Sequence, residues 1–244
     1  MPPAISGVAR QMQEPSLGRY IAGLWEIYLP YKLAWRSDFD WRANRGGKFT
    51  PKRPCERHLD FVALSFSWAS RAGIVRYGAL GAKEELNPRF KVLEIMCEPR
   101  SLASPFGEIS NQSPNFLRLL GRLVAGKVGI VGPGKSFADT SSLTDGDMDE
   151  SIWGLEICLG SKRPFTQENM LSFDTPADKM DCVDQRVYFF ALCRPGQGPG
   201  LNFSVLRKVD GSLINAYRRV GIVHHDLSME DWSKLVKGQE IVLV

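Results

Sequence analysis

The hydrophobic pattern divides the chain into a short helical beginning and a long β-rich remainder. Between residues 3 and 35, apolar side chains recur at helical spacing, first around 5–12 and then in a wider stripe over 17–35. From Asp60 onward the apolar runs are short, rich in β-branched and aromatic residues, and separated by clusters of Gly, Pro, Asn and Asp. The pattern therefore predicts an α+β, mostly β fold, with N-terminal helices followed by an antiparallel sandwich or barrel-like domain.

Nine apolar runs are predicted to be strands. They cover residues 61–68, 74–79, 90–97, 116–124, 153–159, 187–193, 201–206, 217–223 and 240–244. Strands do not alternate with long helices, which argues against a doubly wound α/β domain. One late helix is predicted, with Ser228 as its N-cap and Gly238 at its end.

These elements suggest three parts. Residues 1–36 form a helical lead-in, and residues 37–59 form a basic connector. The apolar stripe of the lead-in must be covered, and packing against the sheet is favoured over packing against a domain upstream of Met1. Residues 60–244 form the antiparallel β domain, with a polar insertion loop near 137–150.

The segment 64–70 has the strictest alternation in the chain. Leu64, Phe66 and Trp68 would share one face of a strand, and the residues between them are serines. The turn that follows leads into a second β-rich run, so the sequence predicts a hairpin there, with Trp68 fully buried beneath it.

Composition places the protein among ordinary globular chains. Its 244 residues are 43% hydrophobic and 24% charged, and the net charge of +4 is far below that of a dedicated nucleic-acid binder. Five cysteines without a CxxC pair suit core thiols in a reducing compartment. The start of the sequence has no signal-peptide pattern, and no apolar run is long enough for a membrane span, so a cytoplasmic protein is expected.

The connector offers one alternative function. Residues 36–58 contain seven lysines and arginines against three acidic residues, with Phe39, Trp41 and Phe49 between them. Such a segment can bind phosphates and stack bases, so a nucleic-acid-binding module remains an alternative. A solvated loop with a few anchoring aromatics is the favoured interpretation, and a nucleic-acid partner is not expected.

A second alternative is nucleotide binding. Residues 129–136 match GxxxxGK[ST], in which Gly129, Gly134, Lys135 and Ser136 would form a phosphate loop. That loop must open a helix, and the residues after Ser136 are polar without an amphipathic stripe. A chance match at the end of a strand is favoured.

Other candidate chemistry does not form a site. His224 and His225 are adjacent and would point to opposite faces of a strand, which does not suit one metal ion. The acidic residues between 145 and 150 do not have the spacing of a calcium loop. We therefore expect no catalytic residues, no metal and no cofactor, and hence no enzyme.

Several short motifs, in order along the chain, resemble the region that follows the HET domain in fungal heterokaryon-incompatibility proteins. They are Ala-Ile-Ser-Gly at 4–7, Tyr-Ile-Ala-Gly-Leu-Trp at 20–25, Leu-Ala-Trp-Arg at 33–36, Leu-Ser-Phe-Ser-Trp-Ala-Ser at 64–70, Pro-Phe-Gly-Glu-Ile at 105–109, Leu-Arg-Leu-Leu-Gly at 117–121, Val-Tyr-Phe-Phe-Ala-Leu-Cys at 187–193 and Tyr-Arg-Arg-Val-Gly at 217–221. Leu64 and Phe66 stand where the family usually has Pro and Trp.

The resemblance implies a non-catalytic module with a role in non-self recognition and incompatibility-linked programmed cell death. It would regulate, or bind, a protein partner such as a HET effector domain. The HET domain itself is expected to be missing here, so no catalytic residue is carried over. The resemblance implies a structural signature made of Trp25, Trp35, Ser65, Phe66, Ser67, Trp68, Ala69, Ser70, Gly107, Gly121, Arg219 and Gly221.

Overall fold

A computed structural model describes nine stretches of the chain. They are residues 3–37, 55–77, 90–131, 152–157, 170–182, 185–193, 201–211, 215–225 and 238–244. Within them the fold is α+β and mostly β. Most of the connector, the insertion loop at 137–150 and the late helix lie outside the described residues.

The helices are short. They are α1 (Pro3–Gln11), α2 (Leu29–Lys32) and α3 (Pro176–Cys182), and three 3-10 turns cover Pro15–Leu17, Glu26–Tyr28 and Trp68–Ser70. The described stretches 3–37 and 55–77 contain six small strands: β1 (Tyr20–Ile21), β2 (Leu24–Trp25), β3 (Trp35–Ser37), β4 (Glu56–Arg57), β5 (Arg71–Ala72) and β6 (Val75–Tyr77). They pair antiparallel in three ribbons, β1 with β2, β3 with β6 and β4 with β5.

The remaining strands build one eight-stranded sheet. They are β7 (Lys91–Met96), β8 (Phe116–Val131), β9 (Ile152–Ile157), β10 (Met170–Phe173), β11 (Arg186–Cys193), β12 (Leu201–Lys208), β13 (Ala216–His225) and β14 (Gly238–Leu243). The order is β10-β13-β12-β11-β8-β14, and β7 and β9 also pair with β8. The long β8 pairs with β7 and β14 along its first half and with β11 and β9 along its second half.

One further pairing closes the sheet into a barrel-like circuit. The end of β14 pairs with the start of β13, so β13, β12, β11, β8 and β14 form a closed ring of hydrogen-bonded strands. This pair is parallel, whereas the other pairings of the sheet are antiparallel, as expected. Closure removes two sheet edges that would otherwise need covering.

The central strands β11 and β12 are buried on both faces over most of their length. Successive residues of a strand point to opposite sides, and on β11 the neighbours Phe189 and Phe190 are both fully buried in different apolar clusters. The cluster that contains Phe190 also holds the buried apolar residues of 21–34 and 63–69, and we call it the lead-in core. The lead-in stripe therefore packs against the sheet, as its composition requires.

The lead-in contains less helix than its periodicity predicts. Helix covers Pro3–Gln11 and Leu29–Lys32, and between them the chain makes the β1–β2 hairpin. Ala22 and Gly23 form its two-residue turn with φ of 52° and 92°, the left-handed geometry of a type I′ hairpin. This turn interrupts a stripe that would otherwise continue as a helix.

Residues 61–68 do not form the predicted strand, although each of the other eight predicted runs contains or overlaps one. The segment is an irregular turn that ends in the 3-10 turn Trp68–Ser70. Ser67, expected on the polar face, is fully buried, and Trp68 is only half-buried. The prediction of a fully buried Trp68 was therefore wrong, because the chain coils here and no longer alternates. Gly238, the predicted helix end, begins β14.

Candidate functional site

The candidate site is a buried joint between the lead-in and the sheet, centred on Arg219 of β13. Its side chain is fully buried and forms an ion pair with Asp174, with 3.1 Å between Nη2 and Oδ1. Its guanidinium donates to the carbonyl oxygens of Leu33 (2.9 Å), Trp35 and Gly221. It also stacks on the Trp35 ring, 3.6 Å from the ring centroid. One side chain thus connects β13 to the residue that follows α2, to β3 and to the residue that follows β10.

A second arginine extends the joint toward α3. Arg71 of β5 is buried, and its Nη2 lies 3.7 Å from Asp174 Oδ2 and 3.5 Å from Asp178 Oδ2. Arg57 of β4, across the ribbon from Arg71, is half-exposed and bonds Asp178 Oδ1. Three arginines therefore surround two fully buried aspartates, which leaves a charge of +1 when all five groups are ionised.

Local sequence places Asp178 in this network. Thr175 Oγ1 accepts a hydrogen bond from the Asp178 backbone N–H (3.0 Å) and donates one to Asp178 Oδ2 (2.8 Å). Pro176 opens α3, where its missing N–H costs nothing. The segment Thr175-Pro-Ala-Asp178 is thus a capping motif that aims the carboxylate at the arginines.

Burial sets the electrostatics of the joint. It raises the pKa of Asp174 above its ordinary value, against the lowering effect of the Arg219 and Arg71 charges. Arg71 Nε, Arg71 Nη2 and Asp174 Oδ2 have no hydrogen bond, so part of the network is held by charge alone. Nearby, burial raises the pKa of the Cys55 thiol, which therefore stays protonated and is not a nucleophile at neutral pH.

The signature serines hold distant segments together. Ser65 Oγ accepts the Arg219 backbone N–H (2.9 Å) and donates to the carbonyl of Val244. Ser67 Oγ donates to the carbonyl of Ala22, and it also caps the 3-10 turn by accepting the Ala69 N–H (3.0 Å). These two hydroxyls connect the signature stretch to the β1–β2 hairpin and to β13 and the C-terminal residue.

The third serine and the two tryptophans complete the joint. Ser70 Oγ accepts from Arg71 Nη1 at 3.1 Å. Trp35 Nε1 donates to the carbonyl of Phe66 (2.8 Å), whose own ring is fully buried. Trp68 Nε1 donates to the carbonyl of Gly23 (3.0 Å) in the β1–β2 turn. The indole groups fill space and also fix backbone positions.

At two signature positions, neighbouring atoms lie so close to the backbone that only glycine fits. A Cβ on Gly121 would lie 2.4 Å from the Phe190 ring, and one on Gly221 would lie 2.6 Å from the carbonyl oxygen of Ser172. Gly221 thus lets β10 and Asp174 come close to β13. Trp25 and Gly107 belong to another place, since Trp25 packs on Phe106, with 6.1 Å between ring centroids.

The other predicted candidates do not join this site. Gly129 lies inside β8, paired with Gly154 of β9, whereas Gly134, Lys135 and Ser136 lie outside the described residues. His224 Nδ1 lies 3.3 Å from Asn202 Oδ1. Within the described stretches, no three His, Cys, Asp or Glu residues are grouped so as to hold a metal ion.

Sequence reasoning found Arg219 and Trp35 through the resemblance and missed Arg71, Asp174 and Asp178. The capping motif at 175–178 was a signal for α3 and for the position of Asp178. No comparable local signal marks Asp174 or Arg71, which look like surface charges in the sequence.

No protein-family model, curated protein or solved structure matches the chain. The helices of the described part are all too short or too polar to cross a membrane.

Proposed function

We propose that this chain is a non-catalytic module of the kind that follows the HET domain in fungal heterokaryon-incompatibility proteins. Its role would be to regulate, or bind, a protein partner in non-self recognition and incompatibility-linked cell death. The partner we favour is a HET effector domain.

One observation carries the proposal. The motifs that suggested the family are scattered along the sequence, yet Trp35, the 65–70 stretch, Arg219 and Gly221 are in contact around one buried joint. A chance set of short matches has no reason to converge in space. Convergence supports a family signature whose purpose is to hold a scaffold.

The chemistry of the joint favours a scaffold over a catalytic centre. Arg219 and Asp174 are fully buried, and their polar atoms are mostly used in contacts with each other and with the backbone. A substrate could contact these groups only if the Trp35 side chain were first displaced. The functional surface is therefore sought outside the joint.

The structure gives less support to nucleic-acid binding by the connector. Arg57, one of its basic residues, is committed to the buried Asp178. This ion pair reduces the positive charge that the connector can offer to phosphates.

A binding and viability experiment tests the proposal. A HET domain from a full-length protein that carries the same signature is mixed with the purified chain, and binding is measured by calorimetry. The two are also expressed together in fungal cells, where the dying fraction is counted. We expect a Kd on the order of micromolar, typical of interfaces between domains of one chain, and a changed dying fraction.

Two results with the same chain would argue against this proposal. No heat of binding, together with an unchanged dying fraction, would contradict the proposal. A rise in melting temperature with millimolar ATP and Mg²⁺ that disappears in Lys135→Ala would instead support the nucleotide-binding alternative.

A further inference from the structure

A cavity of about 560 Å³ lies between α1 and the loop that follows β7. This volume is within the range of small-molecule sites, roughly 300–1,000 Å³. Its lining includes Ser6 and Arg10 from α1, and Arg100, Ser101, Ser104 and Phe106 from the loop. The cavity is separate from the buried joint and shares no lining residue with it.

The loop wall is held by its own backbone. The Ser104 N–H donates to the Ser101 carbonyl (3.0 Å), and the Gly107 N–H donates to the Ser104 carbonyl (2.9 Å), which makes two consecutive turns. The Arg100 N–H bonds the Glu108 carbonyl at 2.7 Å where the loop closes. A site formed this way needs little ordering when a ligand binds.

The helix wall is fastened to the same loop. Ser6 Oγ donates to the carbonyl of Phe106 (2.9 Å), and Arg10 Nη2 donates to the carbonyl of Ala103 (3.0 Å). The Phe106 ring is buried against Tyr20, with 5.5 Å between ring centroids. The loop wall is therefore packed against the β1–β2 hairpin, and the helix wall is hydrogen-bonded to the loop.

The charge of the lining favours an anion. The charged residues of the lining are Arg10, Arg100 and Glu108, so positive charges outnumber negative ones by two to one. Arg100 Nη1 donates to Glu108 Oε2 (2.8 Å), which holds the pKa of Glu108 below its usual value and keeps it ionised at neutral pH. Each guanidinium has five N–H donors, and each is seen to use one here, so donors remain for a ligand.

We propose that this cavity binds a small organic anion, with a phosphate or carboxylate head group on the arginines and the serine hydroxyls. The compact body of the ligand would lie against Phe106 and the Gly7 backbone of α1. Oxyanions suit guanidinium groups because both present several atoms in a plane or fork that pair at once. The inference does not depend on the proposed function.

Calorimetry with three probes of similar shape tests the site. Phenyl phosphate and benzoate carry the two head groups, and phenol is the neutral control. We expect one or both anions to bind in a saturable way and phenol to show no binding. Tighter binding of phenyl phosphate assigns the site to phosphates, and tighter binding of benzoate assigns it to carboxylates.

Matched variants connect the binding to the cavity. Arg10→Gln and Arg100→Gln should each weaken anion binding about tenfold or more, because each removes a charge-assisted hydrogen bond. Arg118→Gln is the control, since Arg118 is also partly exposed and paired with a glutamate, Glu94 at 3.1 Å, outside this cavity. Both cavity arginines are exposed, so the variants are expected to fold.

Three results would overturn the proposal. One is the absence of binding of either anion at millimolar concentration. Another is equal binding by Arg100→Gln and Arg118→Gln, which would place the anion elsewhere. The third is phenol binding as tightly as phenyl phosphate, which would make the cavity an apolar site.

Discussion

Two arginine–carboxylate pairs in this chain have similar lengths and opposite surroundings. In the joint, Arg219 and Asp174 are 3.1 Å apart and neither side chain is exposed. At the cavity, Arg100 and Glu108 are 2.8 Å apart, with side chains 73% and 39% exposed. The shorter pair is the one that water can reach.

The difference shows that burial, more than distance, decides what such a pair does. Two buried charges lose their hydration, so they persist only when other contacts replace it. For Arg219, the carbonyl oxygens of Leu33 and Trp35 and the face of the Trp35 ring replace the lost water. Arg100 keeps most of its hydration, so its pair adds little stability and its donors stay accessible to a ligand. The first pair maintains the fold, and the second suits a binding site.

The largest effect is expected from Arg219→Met. The change leaves the Asp174 carboxylate with Arg71 as its remaining counter-charge, at 3.7 Å, and removes the guanidinium donor from the carbonyls of Leu33 and Trp35. Removing one partner of a buried ion pair costs about 3–5 kcal/mol, and the lost hydrogen bonds to the two carbonyls add to that loss. Urea unfolding followed by circular dichroism measures the effect.

Two variants control this result. Arg100→Met should change the unfolding free energy by less than about 1 kcal/mol, because the pair it breaks is exposed. Adding Asp174→Leu to Arg219→Met should recover part of the loss, since it removes the buried carboxylate that has lost its hydrogen-bonded partner. Equal losses in Arg219→Met and Arg100→Met would show that burial does not separate the two pairs.

The aromatic side chains of the signature stretch should follow the same rule. Phe66 is fully buried in the lead-in core, and Phe66→Ala should cost about 3–5 kcal/mol. Trp68 is half-buried, so Trp68→Ala should cost less despite its larger ring. The two unfolding curves decide the order, and a greater loss for Trp68→Ala would reverse it.

That stretch also shows why the sequence misled at this point. Leu64, Phe66 and Trp68 alternate with serines, as in a strand with one wet face. The hydroxyls of Ser65 and Ser67 in fact bond carbonyls 179 and 45 residues away. Hydroxyl groups satisfied by distant backbone can be buried, and a local pattern does not contain that information.

The main sheet could be predicted because its strands are decided locally. Runs such as Val187–Cys193 are apolar throughout, and a strand buried on both faces has that composition. The parallel pairing of β14 with β13 was not predictable, since it depends on how the sheet closes. The β1–β2 turn was missed because Ala22 has a positive φ, which is uncommon for alanine.

Only part of the candidate site could be predicted, because the burial of single charged residues depends on distant segments. The resemblance pointed to Trp35 and Arg219, but it did not reveal the charges that surround them. Asp174 and Arg71 are single charged residues in the sequence, where burial cannot be seen. Only the folded chain brings them within 3.7 Å of each other.

Thiol labelling gives a third, smaller test of the same contrast. Cys55 is 3% exposed beside the joint, and burial raises the pKa of its thiol. With iodoacetamide at pH 7.5, its labelling should be about 100-fold slower in the native protein than in urea, because labelling requires local opening. Mass spectrometry of the Cys55 peptide measures the rate. Arg219→Met should accelerate labelling, Arg100→Met should not, and equal rates in both would mean that Cys55 does not report on the joint.

The smallest expected effect is a pair of opposite pKa shifts. Burial should place the pKa of Asp174 above 3.8, and the hydrogen bond from Arg100 should place that of Glu108 below 4.5. Carboxyl carbon NMR titration measures both pKa values directly, and Arg100→Met should return the pKa of Glu108 toward its ordinary value.

The two pKa shifts make the stability of the fold depend on pH in opposite directions. Glu108 adds a little stability at neutral pH that is lost as the pH falls through its folded pKa. Asp174 binds its proton more tightly in the folded state, so its term weakens the fold as the pH rises through its folded pKa. If Asp174 titrates below 3.8, its arginines outweigh burial, and the joint would gain stability from charge in the same way as the exposed pair.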